Sequence, residues 1–189
     1  DNAAGGLGDG TTTPANAPVD VQGLSSGVTS VVVGSSATCA LLTGGAVKCW
    51  GDNFRGAVGD GTTTNRLAPV DVTGLGSGVV AISASGEHVC ALTTAGGVKC
   101  WGANFYGQIG DGTLETRTTP TDVVGLTSGV VAIAAGVQFN CALLAGGSVK
   151  CWGDNQGGQM GDGTVGYSRT PGAYVQGPSL TQPLAIADA

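Results

Sequence analysis

An all-β chain of propeller-type blades is the fold class this sequence predicts. Three observations predict it: a 51-residue period from end to end, short apolar runs bounded by glycine, and no helical periodicity of useful length. Trp50, Trp101 and Trp152 mark the period, as do Cys39, Cys90 and Cys141, and again Cys49, Cys100 and Cys151. A Gly-Asp-Gly-Thr run returns at 8–11, 59–62, 110–113 and 161–164. Four short antiparallel strands in a unit of roughly 40–50 residues suit a propeller blade, with a solenoid as the second architecture. The 189 residues hold about 3.7 units, so an open arc is expected rather than a closed ring.

The elements of one unit can be taken in order. Residues 69–72, Pro-Val-Asp-Val, read as an extended segment, with proline at a strand start. Residues 79–82, Val-Val-Ala-Ile, lie between Gly78 and Gly86 and have the pattern of a strand buried on both faces. Residues 88–92 and 97–101 then fold as a hairpin across Thr94, Ala95 and Gly96. The whole chain, 1–189, reads as a single repeat domain with units at approximately 1–51, 52–102, 103–153 and an incomplete 154–189. Pro18, Pro69, Pro120 and Pro171 keep the spacing; the last unit then slips by one or two residues before Leu184-Ala185-Ile186-Ala187, which echoes 132–135. A fourth cysteine hairpin would begin just beyond.

Composition narrows the function classes. With 36 Gly, 11% charged and 41% hydrophobic residues, a coiled coil, a charged helical bundle and a basic nucleic-acid binder are excluded, while a core remains affordable. The net charge of −6 and pI near 4.3 oppose the counterion-release term in nucleic-acid affinity, so no nucleic-acid partner is expected. No apolar run approaches the ~18–20 residues of a membrane-spanning helix; the longest lies around Val130–Ala135, and no membrane insertion is expected. The chain opens at Asp1 with no Met and no signal-peptide h-region, and so reads as a processed product or a piece of something larger.

The six cysteines fall into pairs ten positions apart: Cys39 with Cys49, Cys90 with Cys100, and Cys141 with Cys151. Folding each segment about its glycines sets the two cysteines opposite one another on one side of a hairpin with a three-residue turn. Gly45, Gly96 and Gly147 fall at or beside the left-handed end of that turn. Opposed residues of a non-hydrogen-bonded pair are close enough for a disulfide, and three intra-blade disulfides are assigned. The rivals are zinc ligation and reduced thiols; zinc would need ligands clustered at two-to-four-residue spacing, and the chain has one histidine. Persistent disulfides imply an oxidising compartment: extracellular, cell-surface or periplasmic.

Catalytic chemistry finds little support. His88 is the sole histidine; one period away stand Ala37 and Phe139, and a triad or paired-acid mechanism would need partners it lacks. No cofactor, metal site or catalytic residue is expected. The recurring acids Asp9, Asp60, Asp111 and Asp162 fit neither a nine-residue calcium repeat nor a twelve-residue calcium loop, and read as turn residues accepting backbone hydrogen bonds. Lys48, Lys99 and Lys150 read as solvated strand residues. The positions that vary between repeats are more informative. Phe54-Arg55, Phe105-Tyr106 and Gln156-Gly157 occupy one loop per unit, so they should decorate one face of the array. Exposed aromatics with Arg are common binding hot spots; a phenylalanine packed against the next blade is the alternative.

Residues 101–110, Trp-Gly-Ala-Asn-Phe-Tyr-Gly-Gln-Ile-Gly, followed by Asp111-Gly112-Thr113 and Pro120, resemble the repeat of the regulator of chromosome condensation family. The resemblance covers essentially all of residues 1–178. It implies a β-propeller, usually of seven blades. The family's namesake is a nucleotide-exchange factor that binds chromatin, and this acidic, cysteine-paired chain departs from it; it looks like the secreted bacterial branch of the family. The expected function is a non-enzymatic extracellular structural or adhesive module that self-associates or adjoins further repeats. The alternative is a module that recognises a protein or glycan through the loop face at Phe54, Arg55, Phe105 and Tyr106.

Overall fold

A computed structural model describes residues 2–174 and shows three four-stranded antiparallel sheets with no helix among those residues. The first sheet holds β1 (Val28–Val33), β2 (Ala37–Leu42), β3 (Val47–Gly51) and β4 (Arg66–Asp71), paired in that order. The second repeats it with β5 (Val79–Ser85), β6 (His88–Thr93), β7 (Val98–Gly102) and β8 (Arg117–Asp122). The third holds β9 (Val130–Ala135), β10 (Phe139–Leu144), β11 (Val149–Asn155) and β12 (Gly166–Tyr174). The inner strands β1, β5 and β9 lie side by side, so the sheets radiate as blades in an open arc. The echo at 184–187 and any approach to a fourth hairpin lie outside the described residues.

The hairpins follow their sequence. Cys39 pairs with Cys49 and Leu41 with Val47, and the same register holds in the other two blades. Leu42 N–H bonds to Ala46 O at 2.8 Å, leaving Thr43, Gly44 and Gly45 as the turn. Gly45 supplies a φ of 80° at its end, which glycine adopts without steric cost. All three disulfides are formed, with Cα atoms 4.1 Å apart, near the ~4.5 Å of a directly opposed non-hydrogen-bonded pair.

Successive side chains of a strand point to opposite faces, and the Cys100-Trp101 dipeptide of the middle blade uses this to serve two seams. Cys39, Leu41, Val47 and Cys49 of the first sheet meet Ile82, Val89, Ala91 and Trp101 of the second. Cys90, Leu92, Val98 and Cys100 of the second meet Val130, Ala142 and Trp152 of the third. The connecting loops complete each seam, with Val58, Val72 and Leu75 in the first and Ile109, Val123 and Leu126 in the second. Each Trp indole N–H donates to a loop carbonyl 44 residues earlier: Trp50 to Gly6, Trp101 to Ala57 and Trp152 to Gln108, at 2.9–3.0 Å. The first glycine of the Gly-Asp-Gly-Thr run lies against that indole: a Cβ at Gly59 would fall 2.6 Å from Trp101 Nε1.

Three expectations are corrected. Residues 69–72 do not open the blade that follows them: β4 runs Arg66–Asp71 and pairs with β3 before it, so each sheet closes with residues from the next sequence unit. Pro69 lies inside this edge strand, between the Cys49–Val70 and Gly51–Arg66 pairs where the ladder shifts register, so its missing N–H costs no ladder bond. The run 79–82 is not fully buried on both faces, since Val80 is 52% exposed; Val79 and Ile82 enter the first seam and Ala81 packs against the second. Nor are the recurring lysines simply solvated: Lys48 pairs with Asp71 at 2.6 Å and Lys99 with Asp122 at 2.7 Å across the outer two strands. In the third sheet Cys151 pairs with Ala173, one residue beyond the position equivalent to its partners in the other two sheets; the slip expected before 184–187 falls outside the described residues.

Candidate functional site

The long loops that join the third and fourth strands of each blade, residues 52–65 and 103–116, lie on the same side of the array as the turns between first and second strands. Asp52 N–H bonds to Ser36 O, and Ala103 N–H to Glu87 O. Each loop is held by the asparagine of its Trp-Gly-x-Asn run. Asn53, fully buried, accepts from Val58 N–H at 2.9 Å and donates to Thr62 O and Thr64 O at 3.0 and 3.1 Å. Asn104 makes the same three bonds in the second loop, and Asn155 the bonds to Met160 N–H and Thr164 O in the third. These bonds fix the loop course, and with it the residues at the tip.

At the tip, the structure brings together three of the four candidate binding residues. Phe54 is 67% exposed and Phe105 46% exposed, so neither is packed into a seam. The Arg55 guanidinium carbon lies 4.6 Å from the Phe54 ring centroid and 4.7 Å from that of Phe105. The cation therefore bridges loops of adjacent blades through two aromatic faces. Among the described residues no carboxylate pairs with Arg55, so its planar fork of N–H donors stays available to a ligand. Tyr106 is half-buried beside this group, its N–H held by Gln108 Oε1 at 2.9 Å. In the third blade Gln156 and Gly157 take these positions, and the stack stops.

The loop aspartates behave as turn residues, with a component that composition did not reveal. Asp60 Oδ1 accepts from the Thr62 N–H at 2.9 Å and from its hydroxyl at 2.8 Å, while Oδ2 receives Arg66 Nε at 2.5 Å. Asp111 repeats this with Thr113 and Arg117. Partial burial pushes both carboxyls up, but the Thr hydrogen bonds and the arginine outweigh it and hold them below the ordinary range. A guanidinium thus stands where a bound cation would. Arg66 and Arg117 were not singled out from the sequence, although their own 51-residue spacing was visible.

His88 is 1% exposed, with Nε2 3.0 Å from Asn140 Oδ1 and Nδ1 without a partner. Burial lowers its pKa to about 4, only partly offset by the Asn140 bond. Among the described residues its side-chain hydrogen-bond partner is Asn140. Among the described residues no group of three His, Cys, Asp or Glu side chains could hold a metal ion.

Comparison with known proteins agrees with this geometry. Two models of the regulator of chromosome condensation (RCC1) repeat match the chain, one at residues 28–57, 79–108 and 130–159 and the other at 45–92 and 95–143. The human E3 ubiquitin-protein ligase HERC2 is 33% identical over 153 residues, 79% of this chain and 3% of that protein. The Arabidopsis thaliana ultraviolet-B receptor UVR8 is 31% identical over 165 residues, 86% of this chain and 38% of the receptor. The chain thus spans well under half the length of these relatives. The crystal structure of human WBSCR16 shares the fold, with a TM-score of 0.76 at 23% identity, over 90% of this chain and 45% of that one.

Proposed function

We propose, from the premise that the chain belongs to the regulator of chromosome condensation (RCC1) repeat family, that it is a non-enzymatic extracellular binding module that engages an acidic protein or glycan through its long-loop face. The observation that carries this reading is the exposed Phe54–Arg55–Phe105 stack. Two rings pre-order the guanidinium, lowering the entropy lost on binding, while its in-plane donors suit a carboxylate taken in bidentate fashion. Three disulfides support an oxidising, extracellular setting.

The test uses a hexaglutamate peptide and an oligogalacturonate as probes on an immobilised chain. Arg55→Gln and Phe105→Ala should each weaken retention by about tenfold or more while leaving the circular dichroism unchanged. Equal retention by wild type and Arg55→Gln would sink the reading.

Self-association is favoured by a separate observation. Val31 and Val33 are 54% and 69% exposed, whereas Ile82, the periodic equivalent of Val31, is 7% exposed against the first sheet. The occupant we infer for that face is the disulfide-bearing side of the third sheet of a second copy, the type of surface that covers Ile82 in this molecule. Light scattering should then show concentration-dependent oligomers that Val33→Glu dissolves; a monomer at all concentrations would count decisively against it.

A further inference from the structure

The third long loop lacks the cation that its two predecessors carry. Gly51 pairs with Arg66 and Gly102 with Arg117, and in each case the arginine reaches back to the loop aspartate. In the third blade the paired position, opposite Gly153, is Ser168. Asp162 keeps the rest of the arrangement: Oδ1 accepts from Thr164 N–H at 2.9 Å, from the Thr164 hydroxyl at 2.7 Å and from Asn155 Nδ2 at 3.5 Å. Oδ2, the atom that receives guanidinium in the other two loops, accepts no hydrogen bond among the described residues. Asp162 lines a cavity of about 250 Å³ whose other walls include Thr164, Ser168 and Tyr167.

We propose that this cavity is a binding site for an arginine side chain presented by another polypeptide, seated on Asp162 Oδ2 and Thr164 Oγ1 as Arg66 sits on Asp60 and Thr62 within the chain. Arg66 and Arg117 supply the template: Nε on Oδ2 at 2.5 and 2.7 Å, and Nη2 on the threonine hydroxyl at 3.3 Å in both. The two-point geometry selects a planar fork over a point charge. The Tyr167 ring, 49% exposed at the cavity wall, offers a further face for the incoming cation. Arg169, next to Ser168 in the strand, is engaged elsewhere, 5.7 Å over the Tyr167 ring with Nη2 3.4 Å from its hydroxyl.

The experiment follows the backbone amides of Gly161, Asp162, Gly163 and Thr164 by two-dimensional NMR on the full chain. The titrants are a Gly-Arg-Gly peptide, its Gly-Lys-Gly counterpart and free arginine. The arginine peptide should give saturable shifts confined to this loop, with the lysine peptide at least about fivefold weaker. Ser168→Arg, which supplies the missing side chain in cis, should weaken the arginine peptide by about tenfold. Because that variant restores a pairing already present twice in the chain, it keeps the loop folded; Asp162→Asn, which retains the Oδ1 acceptor, should show the same loss. Equal binding by wild type and Ser168→Arg overturns the proposal. So does equal binding of the lysine and arginine peptides, or binding of free arginine with exclusion of the peptide, which would make the site one for a free small molecule.

Discussion

The two seams between blades share a backbone and differ in chemistry. In the first, Ala37, Val89 and Ala57 are all buried and make an apolar contact. One period on, the same three positions are His88, Asn140 and Gln108; the first two meet through their side chains, and the third contributes its backbone carbonyl. His88 Nε2 lies 3.0 Å from Asn140 Oδ1, and Asn140 Nδ2 donates to Gln108 O at 2.7 Å. Ser83 adds another link, accepting from Ala135 N–H at 3.0 Å. One repeat thus holds an apolar pair, Ala37 and Val89, in one seam and a hydrogen-bonded pair, His88 and Asn140, in the other. The reason is that a buried polar group costs free energy chiefly when its partner is missing. The polar seam also ends at an atom with no partner, His88 Nδ1.

The sharpest way to break the comparison is to mix the two solutions. Asn140→Val copies the first seam at one position and leaves the His88 imidazole buried without its bond. We expect a loss of about 3 kcal/mol in urea unfolding. His88→Ala with Asn140→Val and Gln108→Ala, which copies all three residues, should recover most of it. No recovery in the triple variant would show that the seams are not interchangeable.

A smaller effect separates the seams by pH. The unfolded imidazole titrates near 6.5 and the buried one near 4, so between those values the unfolded chain binds the extra proton. Stability contributed by the neutral His88 is therefore complete above about pH 6.5 and is lost as acid is added. From pH 6.5 to 4.5 the loss should be about 2 kcal/mol, read as a falling urea midpoint. His88→Phe, which borrows the residue found at Phe139, should flatten the profile over that range.

The smallest effect lies within sheets and serves as the control. Lys48→Met and Lys99→Met remove ion pairs whose aspartates are 76% and 65% exposed in their side chains. Each should cost under about 1 kcal/mol, equally in both blades, and less at high salt.

What could be read in advance followed how local each feature is. The hairpin register and its disulfides rest on ten-residue spacings, which the sequence displays directly. The ownership of β4 was misread because its partner strand lies upstream of a long loop, and proximity in sequence favoured the wrong sheet. Arg66 and Arg117 were legible as a second 51-residue series, yet pairing them with Asp60 and Asp111 needed the loop course fixed by Asn53 and Asn104. The Arg55 stack was half visible: Phe54 is adjacent in sequence, but Phe105 comes from the next blade. The polar seam was hidden for a related reason. One period from His88 stand Ala37 and Phe139, whereas its partner Asn140 is a departure from the repeat at another position.

Every disulfide closes within one hairpin, and none crosses a seam. Under mechanical load this divides the chain into two kinds of material. Single backbone segments, 72–78 and 123–129, connect one sheet to the next, so a pull along the chain parts the blades at seams held only by packing and hydrogen bonds. The ten residue steps between each cysteine pair cannot pay out. At roughly 3.5 Å per extended residue, each bridge withholds about 35 Å of contour length. The array would thus lengthen blade by blade and stop short of full extension, with the remaining slack released by a reductant rather than by force.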